Sequence, residues 1–151
     1  MAQRKTILLD DDGLANELLL MTDLYTDEFF SCHAATSDAV VIFPISRIIV
    51  DPERFPDDEN EIMSTVGMCV IYTKTLSGSL LRISPSSIER EYLLNAYYRP
   101  HHKKLYEAVY REVNNTGQSI IIDGHSFPSS ALLYELNQKS NRPDFCIGTD
   151  S

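Results

Sequence analysis

Residues 120–129 read Ile-Ile-Ile-Asp-Gly-His-Ser-Phe-Pro-Ser. This is an apolar run of strand type that ends at Asp123 and gives way to a histidine and a serine. In open α/β sheets, ligands bind just beyond the carboxyl ends of the strands, so Asp123, Gly124, His125 and Ser126 mark a candidate site. Gly124 lets the backbone turn tightly. His125 can act as a neutral-imidazole metal ligand or as a base. The competing reading is a strand end with a polar turn, in which His125 makes one structural hydrogen bond.

The rest of the chain alternates extended and helical patterns. Asp10-Asp-Asp12 and Gly13 precede a helical stripe of Leu14, Leu18, Met21, Tyr25 and Phe29, with Asp12 expected as its N-cap. Residues 38–44 read as a buried strand stopped by Pro44, and residues 45–50 as a second extended run. A polar, proline-punctuated loop covers 51–60, and 66–75 again has strand composition. A turn at Leu76–Ser79 leads to a short strand at 80–83, after which Ser86-x-x-Glu89 is a capping box opening a helix. That helix is expected to break near Arg99-Pro100, and a second one to run to Val113 with Leu105, Val109 and Val113 inward. A helix over 129–138 and a strand at Phe145–Ile147 complete the pattern. Strands alternating with helices predict an α/β sheet with some mixed pairing in one domain.

A formal net charge of −9 argues against non-specific nucleic-acid binding and against docking on an anionic membrane. It does not exclude an anionic substrate, because a local arginine cluster can reverse the sign within a cleft. Cys32, Cys69 and Cys146 form no close pair, which suggests reduced thiols and a cytoplasmic location. The N-terminal segment does not read as a signal peptide, and no run approaches the roughly 18 to 20 apolar residues of a membrane span.

Several residues could carry chemistry. Arg47 and Arg54 flank Asp51, which could hold one guanidinium in position. Facing one cleft, the two arginines would receive a dicarboxylate; facing solvent, they would be ordinary surface residues. Asp23 and Asp27 share one face of the expected first helix, where they are either metal ligands or solvated carboxylates. His101 and His102 point in different directions on a helix, so only one can face a site. Ser126 after Gly124 invites a serine-hydrolase reading, but Pro128 replaces the second glycine of the nucleophile elbow and no histidine follows His125.

Five segments in order then resemble the N-formylglutamate amidohydrolase family. They are Thr22-Asp-Leu-Tyr-Thr-Asp-Glu-Phe29, Ile45-Ser-Arg-Ile-Ile-Val-Asp-Pro-Glu-Arg-Phe55, Tyr97-Tyr-Arg-Pro-His-His102, Ile122-Asp-Gly-His-Ser-Phe-Pro-Ser129 and Arg142-Pro-Asp-Phe-Cys-Ile-Gly-Thr-Asp150. The resemblance implies a three-layer α/β sandwich with a mixed, mostly parallel sheet, similar to zinc-dependent exopeptidases. It also implies hydrolysis of the amide of an N-formyl or other N-acyl amino acid such as N-formylglutamate, a step of histidine degradation. His125 and Asp23 would then ligate zinc or another divalent metal. Arg47, Arg54, His102 and Ser126 would line the substrate site.

The chain departs from that pattern in two places. It shows no Pro-His-Ser-Gly-like segment before Asp10, and it stops soon after Ile-Gly-Thr-Asp150. An incomplete domain is therefore expected, with weaker metal binding and self-association through an unfinished sheet. The competing expectation is an inactive remnant that binds carboxylates or acts as an interaction module.

Overall fold

A computed structural model describes residues 7–131 and 141–148. Regular structure among them is helical: α1 (Asp11–Leu20), α2 (Thr26–His33), α3 (Ser87–Leu93) and α4 (Arg99–Thr116), with a short 3-10 helix at Ile62–Val66. Among the described residues, extended pairing is confined to two isolated antiparallel bridges, Ile7 with Arg82 and Lys74 with Leu80. The expected three-layer α/β sandwich with a mixed sheet is therefore overturned.

The reason lies in where the backbone groups of the apolar runs find partners. Residues 48–51 and 68–72 lie side by side, and Asp51 N–H donates to Val70 O at 2.8 Å. The ladder goes no further, because the Arg82 guanidinium takes the carbonyl of Ile48. Other groups bond locally instead. Met68 N–H returns to Met63 O and Thr73 N–H to Gly67 O, so this stretch folds back on itself. Among the described residues, the runs at 38–44 and 120–122 find no partner strand; Ile120 is 86 % exposed and Ile122 76 %. Phe145 and Ile147 are likewise exposed. From residue 132 on, the helix expected over 129–138 lies outside the described residues.

The buried runs nevertheless make the core. Met21, Ile48, Met68, Tyr72 and Leu81 form one cluster, backed by Leu18, Met63 and Leu76. Val50, Val70, Ile71 and Leu94 form the other, backed by Phe43, Tyr97 and Tyr98. Glu17 is buried and accepts Leu76 N–H at 2.7 Å, tying α1 to the turn at 75–79. That turn forms as the sequence predicts, with Thr75 N–H donating to Ser79 O and Gly78 in the left-handed region at φ 81°.

The helices correct the sequence reading in three places. Asp10, not Asp12, caps α1, its Oδ1 accepting Gly13 N–H at 2.8 Å. The single stripe from Leu14 to Phe29 is two helices, because Met21 is held in the core and the chain reverses through Tyr25, at φ 64°. Asp23 therefore sits in the connecting turn rather than on one helix face with Asp27. Finally, the helix does not break before Pro100. It passes through a π-helical turn, Leu94–Tyr98, in which Arg99 N–H reaches Leu94 O. The wider turn takes the proline at the start of α4 without ending the helix. No helix among the described residues is long and apolar enough to cross a membrane.

The predicted capping box is present. Ser86 Oγ accepts Glu89 N–H, and the Glu89 carboxylate accepts Ser86 N–H at 2.9 Å. Ser86→Ala should lower stability by about 1 kcal/mol, read as a shift in the urea midpoint with an unchanged slope. An unchanged midpoint would mean that the cap carries no weight in the folded chain.

Candidate functional site

The site grows from the loop between Pro44 and Phe55. Ser46 Oγ accepts Ile48 N–H at 3.3 Å and Ser46 O accepts Ile49 N–H at 2.9 Å, so the expected extended run at 45–50 opens as a turn. Ile48 and Val50 then point into the two core clusters, while Arg47 stays half-buried at the surface. Burial on both sides thus fixes the backbone from which Arg47 projects.

Asp51 follows, fully buried. Its Oδ2 accepts the Tyr72 hydroxyl and its Oδ1 accepts Glu53 N–H at 3.0 Å. The second bond closes an Asx turn over Pro52. Arg54 Nε lies 3.5 Å from Asp51 Oδ2, and Arg54 Nη1 lies 4.0 Å from Glu61 Oε1. Burial and the adjacent Asp51 carboxylate push the Tyr72 phenol well above its ordinary range, so it donates its proton and does not ionise. His102 completes the frame: Nε2–H donates to Pro52 O at 2.9 Å, and its ring packs on Tyr98. Tyr98 in turn donates to Arg54 O at 3.0 Å.

Above this frame, three segments converge on one ionic cluster. Arg47 Nη2 donates to Asp23 Oδ2 at 2.9 Å and to Glu53 Oε1 at 3.0 Å. His125 Nδ1 lies 2.9 Å from Asp23 Oδ2 and 3.8 Å from Glu53 Oε1. On the other side of the ring, His125 Nε2 lies 3.2 Å from Asp123 Oδ2. Gly124 makes the approach possible by close packing rather than by an unusual backbone angle. A Cβ at this position would come within 2.5 Å of the Phe30 ring, so the glycine lets residues 123–125 pass against α2.

Charge follows geometry. The hydrogen bond to Asp23 raises the His125 pKa to about 9, against the opposing effect of burial and with help from Glu53 and Asp123. Burial alone would lower the Arg47 pKa, but Glu53 and Asp23 outweigh it and hold the guanidinium firmly charged. Burial also raises the Glu53 carboxyl, despite the neighbouring Arg47.

The residues named from sequence therefore divide. His125, Asp23 and Arg47 come together in one cluster. Arg54 belongs to the buried frame with Asp51, so the two arginines do not stand as a free pair. His102 holds the loop through Pro52, and Ser126 lies half-buried beside His125. Both ring nitrogens of His125 face carboxylates, which leaves none directed at Ser126 and argues against a serine nucleophile. Glu53 and Tyr72 were not anticipated. The Asp-Pro-Glu sequence does signal the Asx turn that sets Glu53, whereas nothing local marks Tyr72 as the partner of Asp51.

Asp23, Glu53 and His125 offer ligand atoms that all lie within 4.8 Å of one another. Donors around one tetrahedral zinc, with bonds of about 2.0–2.2 Å, lie roughly 3–4 Å apart. Two carboxylates and an imidazole suit a divalent cation in kind, and ligand atoms within 4.8 Å of one another would close to that spacing around one. With their half-exposed side chains, the three are also open to a small solute.

The N-formylglutamate amidohydrolase family matches residues 5–151, and the chain belongs to it. Curated proteins provide no match, and neither do solved structures.

Two measurements test the site. In an NMR titration His125 should titrate near pH 9, and in Asp23→Asn it should fall back toward its ordinary value of 6.5. Because the folded pKa is raised, the stability from this pair is complete below about pH 6.5 and lost as pH rises through 9. A wild-type midpoint at or below 6.5 would show that the pair does not form. Separately, Tyr72→Phe leaves a buried carboxylate oxygen without its donor and should cost about 1–3 kcal/mol in urea unfolding.

Proposed function

We propose that this chain is a metal-dependent amidohydrolase that cleaves the amide of an N-formyl amino acid, N-formylglutamate foremost, releasing formate and the free amino acid. The observation that carries this reading is the convergence of Asp23, Arg47, Glu53 and His125, from three separate segments, in a member of that family.

Asp23, Glu53 and His125 would hold the metal, with zinc the expected ion. When bound, zinc lowers the pKa of a coordinated water and polarises a carbonyl. Asp123 orients the imidazole: accepting a proton bond from Nε2 leaves Nδ1 to face the cluster. Arg47, on a turn anchored by Ile48 and Val50, presents a planar fork suited to a substrate carboxylate. Arg54 acts from below, pinned by Asp51 and Glu61, and keeps the loop that bears Glu53 in place. The three free cysteines support a cytoplasmic setting.

Purified chain supplied with zinc should release formate from N-formylglutamate, and His125→Ala should abolish the release while keeping the circular dichroism of the wild type. No formate from the folded wild-type chain would overturn the enzymatic reading and leave a carboxylate-binding remnant of the fold.

A further inference from the structure

We propose that Arg47 is the resident counter-cation of the Asp23–Glu53–His125 site, and that a divalent metal enters by displacing its guanidinium, which then becomes the receptor for a ligand carboxylate. This inference rests on the metal reading above and deepens it. Metal binding and carboxylate binding become two halves of one exchange.

The argument is one of shared atoms. Arg47 Nη2 bonds Asp23 Oδ2 at 2.9 Å and Glu53 Oε1 at 3.0 Å. Those same two oxygens face His125 Nδ1, at 2.9 Å and 3.8 Å. An ion coordinated by Asp23, Glu53 and His125 would compete with the guanidinium for the same carboxylates. The ion would first replace the proton on His125 Nδ1, and a doubly charged ion in that place would repel a guanidinium about 3 Å from the same two oxygens.

Arginine does not resolve this conflict by losing its proton, because a guanidinium stays charged throughout the accessible pH range. It has to move. The backbone beneath it is fixed, since Ile48 and Val50 are buried in separate core clusters. The side chain is half-buried and long, so it can swing outward about its own torsions. Once released, the planar fork is an unpaired cation beside a filled metal site, which is where a carboxylate would pair with it. Coupling of this kind is reciprocal: whatever factor the metal adds to carboxylate affinity, the carboxylate adds to metal affinity.

Zinc affinity, measured by competition with a chromophoric chelator, tests the exchange without reference to turnover. Glutarate serves as a carboxylate that cannot be hydrolysed. Arg47→Gln should bind zinc about tenfold or more tightly than wild type, within the usual range of coupling between sites. Glutarate should tighten zinc binding to the wild type and have no effect on Arg47→Gln. Arg47→Lys keeps the charge and should stay close to the wild-type zinc affinity, and circular dichroism checks that each variant is folded. Equal zinc affinity in wild type and Arg47→Gln, lost in His125→Ala, would overturn the displacement and leave the metal site standing. Absence of any His125-dependent zinc binding would overturn both.

Discussion

A carboxylate sealed from water sits under everything functional in this chain. Asp51 is fully buried, and a buried charge is tolerable only where donors surround it. Tyr72 supplies one hydrogen bond, Glu53 N–H another, and Arg54 the opposite charge. Meeting those needs ties residues 48–51 to residues 68–72, fixes the turn over Pro52 and sets the direction in which Glu53 leaves the loop. Without a sheet to hold these runs in register, one polar residue does for the fold what a ladder of backbone bonds would do elsewhere. The same residue joins the two apolar clusters, since Tyr72 belongs to one and Val50 to the other.

The site is accordingly built in two tiers of different character. The lower tier centres on the buried Asp51, Tyr72 and Glu61, with Arg54 partly exposed at its edge. The upper tier, Asp23, Glu53, Arg47 and His125, is half-open to solvent, and its partners are held by long side chains. Interactions of the first kind resist exchange because any lost partner leaves a desolvated group. Those of the second kind can trade partners with water, ions or solutes at small cost. A chain that must hold a geometry and yet admit a ligand needs both, and here they are stacked on one loop.

How much of this was legible follows from the range of each interaction. The Ser86–Glu89 box and the turn at Leu76–Ser79 were readable because all their partners lie within a few residues. Asp23, Arg47 and His125 could be named from the family resemblance, and the structure brings them together although 102 positions separate the aspartate from the histidine. The sheet was misread because strand composition reports burial and β-branching, while a strand also needs a neighbour. At Ile48 the neighbour's place is taken by the side chain of Arg82. Asp23 was placed on a helix because the apolar period continues through the turn that the anchored Met21 imposes. The Tyr72–Asp51 pair spans 21 positions and leaves no local signature, since any buried tyrosine would look the same in sequence.

The π-helical turn at Leu94–Tyr98 makes α3 and α4 a continuous rod with its two halves out of phase. An inserted residue advances every later side chain by about 100° around the axis. His102 reaches the Pro52 carbonyl, and His101 the ring of Phe43, only in the advanced phase. Along this rod, length and aim are therefore the same variable. Losing a single residue from those five would rotate both histidines off their targets at once.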